Sequence, residues 1–159
     1  KLEAHGLYFA EAPVQSEDMT GQIRVANSIG VPLALGEELR TAYEYRPRFE
    51  ARAMSIVQPE MGHTGITEFA RIGMMAQAFH MKIIPHAAIS IGIFMAASLQ
   101  ASAVFLGLPY HEYQHSIFDR NLMFTNGDMA CENGFYKVPT GPGIGVEPSE
   151  ALLAMLEDA

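Results

Sequence analysis

Five short apolar runs recur along the chain, and an ionisable residue follows closely after each of them. The runs occupy residues 7–10, 32–35, 55–57, 83–85 and 108–110. The ionisable residues are Glu11, Glu37, Glu60, His86 and Glu112, and successive members lie 26, 23, 26 and 26 positions apart. That interval is the length of one strand plus one crossover helix, so the pattern predicts repeated βα units.

Helical patterns fill the intervals between the runs. We predict helices over residues 19–29, 41–53, 66–79 and 94–105, with Pro47 bending the second. After Glu112 the pattern predicts an irregular segment at 115–131, a short strand at 135–138, a turn-rich loop at 139–145 and a helix at 148–156 with Ser149 near its N-cap. Strands alternating with helices predict an α/β fold with parallel strands and right-handed crossovers.

The strand-end residues are the candidate chemistry, because a parallel sheet or barrel gathers such residues at one edge. Glu11 and Glu37 follow consecutive strands, so their carboxylates could approach within a few ångströms. Two carboxylates that close repel unless a cation or a proton lies between them, and Mg²⁺ suits an all-oxygen pair. The alternative is that both residues cap the following helices or remain solvated.

Only one of the adjacent residues Glu37 and Glu38 can face the site, because side chains alternate along an extended chain. Gly36 favours Glu37, since a residue without a side chain leaves room for a ligand.

Glu60 and His86 follow the next two strands, where a carboxylate can hold an imidazole in one tautomer for acid or base catalysis. A histidine after proline can instead be structural. Glu112 closes the series and could donate a hydrogen bond to an oxyanion if protonated. His63, predicted in a loop, could touch a ligand, and His115 could line the rim of the site.

Composition narrows the class of protein. Eighteen acidic and ten basic residues give a net charge of −8 without a Lys/Arg cluster, which excludes nucleic acid as an expected partner. The single cysteine, Cys131, excludes an internal disulfide and predicts a cytoplasmic protein. Residues 83–110 carry no Asp, Glu, Lys or Arg, but Pro85 and His86 interrupt them, so we predict a buried strand and helix and no membrane partner.

Six motifs in order resemble the C-terminal barrel domain of the enolase superfamily, in its mandelate racemase and acid-sugar dehydratase branch. FAEAP at residues 9–13 resembles the Glu-x-Pro motif of the fourth barrel strand, and LGEELRT at 35–41 the Gly-Glu motif of the fifth. QPEMGHTGIT at 58–67 and PHAA at 85–88 are similar to the segments that supply a carboxylate–histidine dyad. Glu112 matches the eighth-strand acid, and VPTGPGIGV at 138–146 resembles the closing glycine-rich loop.

The resemblance implies a function. Glu11 and Glu37 would bind Mg²⁺, His86 with Glu60 would transfer a proton, and Glu112 would help Mg²⁺ stabilise an enediolate. A sugar acid would lose its α proton and then its β hydroxyl, giving a 2-keto-3-deoxy acid. We expect a homo-oligomeric enzyme with His63 and His115 near the substrate. The alternatives are a racemase or epimerase, which needs a second base, and a non-catalytic fragment.

The chain departs from the family pattern at two points. The dyad carboxylate is usually Asp, and Glu60 is one methylene longer. The third metal ligand, on the third barrel strand, and the N-terminal capping domain have no counterpart here. We therefore expect residues 1–159 to form part of a modified TIM barrel, about strands four to eight. A whole barrel needs about 250 residues.

Overall fold

The computed structural model describes residues 2–87 and 91–157, which divide into two compact units. The first unit comprises residues 2–86 and 107–110. The second comprises residue 87 and residues 91–106 and 111–157. Each unit has its own buried core, so each is described separately.

A four-stranded parallel sheet is the centre of the first unit. Its strands are β1 (Ala10–Glu11), β2 (Leu33–Leu35), β3 (Ile56–Val57) and β4 (Lys82–Ile83), paired in that order. The register aligns Glu11 with Ala34 and Leu35 with Val57. β2 and β3 are buried along their whole length, as expected of strands covered on both faces. The predicted α/β class with parallel strands is confirmed.

The fifth apolar run does not form the predicted strand. Residues 108–110 form no strand. They belong to the first unit, where the Tyr110 ring lies edge-on to Tyr8 with centroids 5.4 Å apart. Gly107 has a φ of 73°, and Pro109 has no N–H to donate to a ladder. Apolar composition alone therefore misidentified this segment as a strand.

Three helices connect the strands of the sheet: α1 (Met19–Ser28), α2 (Ala42–Glu50) and α3 (Met61–Ala78). α1 begins with a side-chain cap, in which Asp18 accepts a hydrogen bond from the N–H of Gly21. α3 begins earlier than predicted, because residues 61–64 form a helical turn before a break at Gly65, whose φ is 66°. Tyr45, Phe49, Phe69 and Ile72 pack the helices onto the sheet, each with no exposed surface.

The second unit contains α4 (Gly92–Ser102), α5 (His115–Asn121) and α6 (Glu150–Glu157). Two short antiparallel pairs complete it: β5 (Thr125–Asn126) with β8 (Glu147–Pro148), and β6 (Cys131–Glu132) with β7 (Phe135–Tyr136). The prediction that residues 115–131 are irregular is wrong, because α5, a 3-10 turn, β5 and the first residue of β6 lie there. The predicted strand near 135, the loop at 139–145 and the final helix are confirmed, and the Ser149 hydroxyl accepts the N–H of Leu152.

α4 is the core helix of the second unit. Its Met95, Ala96 and Leu99 pack against Phe118 and Met129. Within the part of the chain that the structure describes, this helix and the others are too short or too polar to cross a bilayer.

Candidate functional site

Three of the strand-end residues meet at the C-terminal edge of the first unit's sheet. Glu11 is the last residue of β1, Glu37 lies two residues beyond β2, and His86 lies three beyond β4. One ligand atom from each side chain lies within 4.8 Å of the other two. Because parallel strands end at the same edge, the pairing of β1 to β4 places these three residues along one edge of the sheet, and their side chains converge from there.

A carboxylate faces each nitrogen of the His86 ring. Glu60 Oε2 contacts Nδ1 at short range, and Glu37 Oε2 lies 3.0 Å from Nε2. A carboxylate oxygen only accepts, so each contact is a hydrogen bond only when the facing nitrogen carries a proton. The pair Glu60–His86 predicted from spacing is therefore present, with Glu60 at the N-cap of α3.

The site is partly shielded from water. The side chains of His86 and Glu60 are 18% and 11% exposed, and that of Glu37 is 34% exposed. A small solute can reach Glu37, while the contact between Glu60 and His86 lies deeper. Electrostatic interactions are stronger in such a partly dry environment than at an open surface.

Glu37, and not Glu38, faces this cluster. Glu38 instead accepts a 2.5 Å hydrogen bond from the Ser16 hydroxyl. Gly36 was predicted to leave room for a ligand, but protein atoms fill the space beside it. A Cβ at Gly36 would lie 2.7 Å from the Tyr45 hydroxyl and 3.0 Å from the Gln58 carbonyl. Burial raises the pKa of Tyr45, so its hydroxyl keeps its proton and donates to the Gly36 carbonyl at 2.6 Å.

His63 lies on the first turn of α3, so its predicted place in a loop is wrong. Its Nδ1 is 2.8 Å from the backbone carbonyl of Glu37. Since a carbonyl only accepts, Nδ1 donates this bond and the neutral ring presents Nε2 as its acceptor. His63 is exposed, so Nε2 is open to a ligand.

Glu112 and His115 belong to the second unit. Glu112 Oε2 accepts the N–H of Ala87 at 2.6 Å, and its backbone carbonyl accepts the Tyr136 hydroxyl at 2.6 Å and His111 Nδ1 at 3.1 Å. Burial raises the pKa of Tyr136, which keeps that hydroxyl a donor. Glu112 is thus held at both its carboxylate and its backbone. His115 is the exposed first residue of α5.

Sequence reasoning missed Gln58 and Arg48. Gln58 Nε2 donates to Glu11 Oε1 at 2.6 Å. The buried Arg48 donates to the Ser16 carbonyl, the Glu44 carbonyl and the Gln22 amide oxygen, and so anchors the loop that follows Glu11. The available signal for Gln58 was its position two residues before Glu60, on the same face of an extended segment. Arg48 had no such signal, because on α2 it resembles an exposed helical arginine.

A cavity of about 190 Å³ borders Glu37 and Glu38. The loop at residues 12–16 and the side chains of Gln22 and Arg48 form its opposite wall. Its lining combines carboxylates with a guanidinium, so the cavity suits a small polar molecule more than an apolar one.

Comparisons with known proteins agree with this architecture. D-galactonate dehydratase from Ralstonia pickettii (strain 12J) is 31% identical over 160 residues, which cover 96% of this chain and 42% of that protein. The enzyme of the same name from Cronobacter sakazakii (strain ATCC BAA-894) is also 31% identical, over 94% of this chain and 41% of its own length. The chain thus spans well under half the length of these curated relatives.

Two solved structures are more similar in sequence. A Sinorhizobium meliloti protein provisionally named an isomerase is 56% identical with a TM-score of 0.94, over 97% of this chain and 41% of that one. An enolase superfamily member from Agrobacterium tumefaciens is 50% identical with a TM-score of 0.93, and the match covers 96% of this chain and 39% of that one. A family model described as enolase C-terminal domain-like matches residues 1–152. The chain belongs to the enolase C-terminal domain-like family.

Proposed function

We propose that the protein containing these residues is a Mg²⁺-dependent acid-sugar dehydratase. The reaction removes the proton α to a carboxylate and expels the β hydroxyl as water, and the resulting enol becomes a 2-keto-3-deoxy acid. The observation that carries the proposal is the placement of His86, with Glu60 on one ring nitrogen and the Glu11–Glu37 pair beside the other. The curated relatives named D-galactonate dehydratase support this choice of reaction and suggest a six-carbon sugar acid.

The residues present fit a magnesium ion. Glu11 and Glu37 offer the hard carboxylate oxygens that Mg²⁺ prefers, and water and substrate oxygens can complete its coordination. His86 Nε2 is near enough to be a third ligand by distance, but imidazole is a softer ligand that suits Zn²⁺ or Cu²⁺ better. The chemistry that a bound Mg²⁺ supplies is positive charge beside the substrate carboxylate, which lowers the cost of removing the α proton.

His86 is the proton-transfer residue of the proposal. Its Nδ1–H donates to Glu60, which fixes the ring orientation, and Nε2, which faces Glu37, is the atom that would move a proton. Nε2 would protonate the departing β hydroxyl, or act as the base on one face of the substrate. When the His86 ring is an imidazolium, the Glu60 carboxylate would balance its positive charge. Acid or base catalysis of this kind contributes on the order of 10²-fold to 10⁴-fold to a rate.

Glu112, His63 and His115 take supporting roles that rest on the family resemblance. Glu112 Oε2 accepts the N–H of Ala87, and a protonated Glu112 carboxyl would donate to a developing oxyanion. His63 Nε2 and the exposed His115 would bind substrate hydroxyls. We further propose that the enzyme is cytoplasmic and assembles as a homo-oligomer.

An isomerase is the second candidate. It is favoured by the Sinorhizobium meliloti structure, and a 3,6-anhydro-D-galactonate cycloisomerase from Zobellia galactanivorans is also similar, at 26% identity with a TM-score of 0.85. A racemase or epimerase returns the proton to the opposite face and needs a second base. Among the described strand-end residues of the first unit, His86 is the one imidazole, so that second base would come from elsewhere.

Incubation with a panel of sugar acids in D₂O separates the candidates. The native protein, with whatever sequence flanks these residues, is loaded with Mg²⁺, and products are followed by NMR. A dehydratase yields a 2-keto-3-deoxy acid from D-galactonate or a stereoisomer. Deuterium at the α carbon without loss of water indicates an isomerase. If no substrate of the panel gives either a 2-keto-3-deoxy acid or deuterium at the α carbon, both enzymatic proposals are wrong.

A further inference from the structure

Gln58 lies one residue beyond β3 and is almost completely buried, with 4% of its surface exposed. Its backbone N–H donates to the Leu35 carbonyl at 2.9 Å, which continues the parallel ladder between β2 and β3. Its side-chain Nε2 donates to Glu11 Oε1 at 2.6 Å. The backbone of Gln58 is therefore fixed by the sheet, and its amide holds a residue of β1.

The contact between Gln58 and Glu11 passes over a strand. β2 lies between β1 and β3 in the sheet, so the glutamine side chain extends across the end of β2 to reach Glu11. Side chains from alternate strands form the layers on the inner face of a parallel barrel, and the Glu11–Gln58 contact has that arrangement. Two residues later on the same strand end, Glu60 contacts His86.

We propose that Gln58 is a positioning residue that holds the Glu11 carboxylate for a divalent cation, an inference that rests on the proposed function. A neutral amide donates to one carboxylate oxygen without cancelling the negative charge of the group, so the second oxygen remains an anionic ligand for Mg²⁺. A lysine or arginine in this position would compete with the cation for the same carboxylate. Glu11 is an exposed residue, so without the amide its flexible side chain would lose more freedom on binding.

The test is the Mg²⁺ affinity of Gln58→Met in the native, metal-stripped protein, measured by calorimetry. Methionine is similar in length and apolar, so it removes the donor with little change in volume. Loss of an outer hydrogen bond to a metal ligand typically weakens metal binding 10-fold to 100-fold, and we expect a rise in Kd of about 10-fold or more. Gln58→Asn is the second variant, since it keeps an amide that is one methylene too short to reach Glu11.

Gln100→Met is the matched control. Gln100 Nε2 donates to the carbonyls of Pro139 and Ile144 in the second unit, so this variant also loses glutamine hydrogen bonds. We expect it to lower the Tm and to leave the Mg²⁺ Kd unchanged. If Gln58 had only a structural role, Gln58→Met would likewise lower the Tm and leave the Mg²⁺ Kd unchanged.

The outcomes separate this inference from the proposed function. Glu37→Gln should weaken Mg²⁺ binding strongly. If it does, while the folded Gln58→Met binds Mg²⁺ within twofold of the unaltered protein, the role of Gln58 is wrong and the metal site stands. If Glu37→Gln leaves the Kd unchanged, both the metal site and the role of Gln58 are wrong. Should Gln58→Met not fold, the Kd of Gln58→Asn decides by the same criterion.

Discussion

Glu60 and His86 are joined twice, once through the backbone and once through their side chains. Their backbones form a parallel β-bridge, in which the His86 N–H donates to the Pro59 carbonyl at 3.3 Å. Their side chains meet through Glu60 Oε2 and His86 Nδ1. The sheet register therefore holds the two residues side by side independently of the side-chain contact, and the orientation of the imidazole depends on the length of the residue at position 60.

Glu60→Asp tests that dependence on length. The substitution withdraws the carboxylate by roughly 1.5 Å, the length of one carbon–carbon bond, while the backbone bridge keeps the two residues in register. Misplacement on this scale can cost on the order of 100-fold in rate, and we expect kcat to fall by about that factor. Steady-state kinetics measures the fall in kcat. Calorimetry measures the Mg²⁺ affinity, which should remain close to that of the unaltered protein. An unchanged kcat would show that His86 does not need the contact.

His86→Ala should abolish measurable turnover and leave the fold intact. The backbone bridge to Pro59 does not involve the imidazole, and the side chain is placed to move a proton, so we expect a loss on the order of 10²-fold to 10⁴-fold. Circular dichroism checks the fold, and α-deuterium exchange checks the chemistry. His5→Ala removes an exposed histidine outside the cluster and should retain full turnover. Near-normal turnover by His86→Ala would contradict the assignment.

Gly36→Ala should destabilise the protein and displace Glu37. A Cβ at this position would lie 2.7 Å from the Tyr45 hydroxyl, and the residue has a φ of 136°, which side-chain-bearing residues rarely adopt. Overpacking a tight core costs roughly 1–3 kcal/mol, and the backbone conformation adds to that. We expect a lower urea midpoint together with weaker Mg²⁺ binding.

Gly6→Ala is the control for the backbone component of that loss. Gly6 has a φ of 66°, and a Cβ there would meet nothing within 4 Å. The control should therefore lose less stability than Gly36→Ala and none of its Mg²⁺ affinity. Equal losses of stability in the two variants would show that contact with Tyr45 is not the cause.

The sequence predicted the strand-end residues because the parallel register follows from the spacing of the apolar runs. That spacing was sufficient to predict four residues at strand ends: Glu11, Glu37, Glu60 and His86. Gln58 was missed because its role depends on a contact across β2 to Glu11, and an uncharged amide gives no signal in a search for ionisable residues.

Local backbone conformation explains the remaining errors. The run at 108–110 has strand-like composition, but Pro109 and the positive φ of Gly107 prevent it from joining a ladder. His63 was predicted to lie in a loop. Gly65 does interrupt α3, but the turn that precedes Gly65 is helical and contains His63. α5 is seven residues long, too short for a periodic pattern to distinguish it from an irregular segment.

Glu44 provides a pH-dependent contribution to stability at the start of α2. Its Oε2 accepts the N–H groups of Arg40 and Thr41, at 2.9 and 2.8 Å, and the Thr41 hydroxyl at 3.0 Å. Burial raises the pKa of Glu44, but the hydrogen bonds from Arg40 and Thr41 outweigh it and hold the pKa below its ordinary value of 4.5. The carboxylate therefore stabilises the fold above about pH 4.5, and this contribution is lost as the pH falls from there through the lower folded pKa.

Glu44→Gln should consequently lower stability at pH 7 by an amount on the order of 1 kcal/mol, the usual contribution of a helix cap. Thermal unfolding of the variant and the unaltered protein, compared at several pH values, measures the difference. The gap in Tm should narrow below about pH 4.5, because the native carboxylate is then becoming protonated. Glu50→Gln, which removes an exposed ion pair with Arg46 on the same helix, should cost less than the cap at pH 7. A gap for Glu44→Gln that is constant from pH 7 to pH 3 would show that its charge does not contribute, and that the lost packing of the side chain accounts for the change.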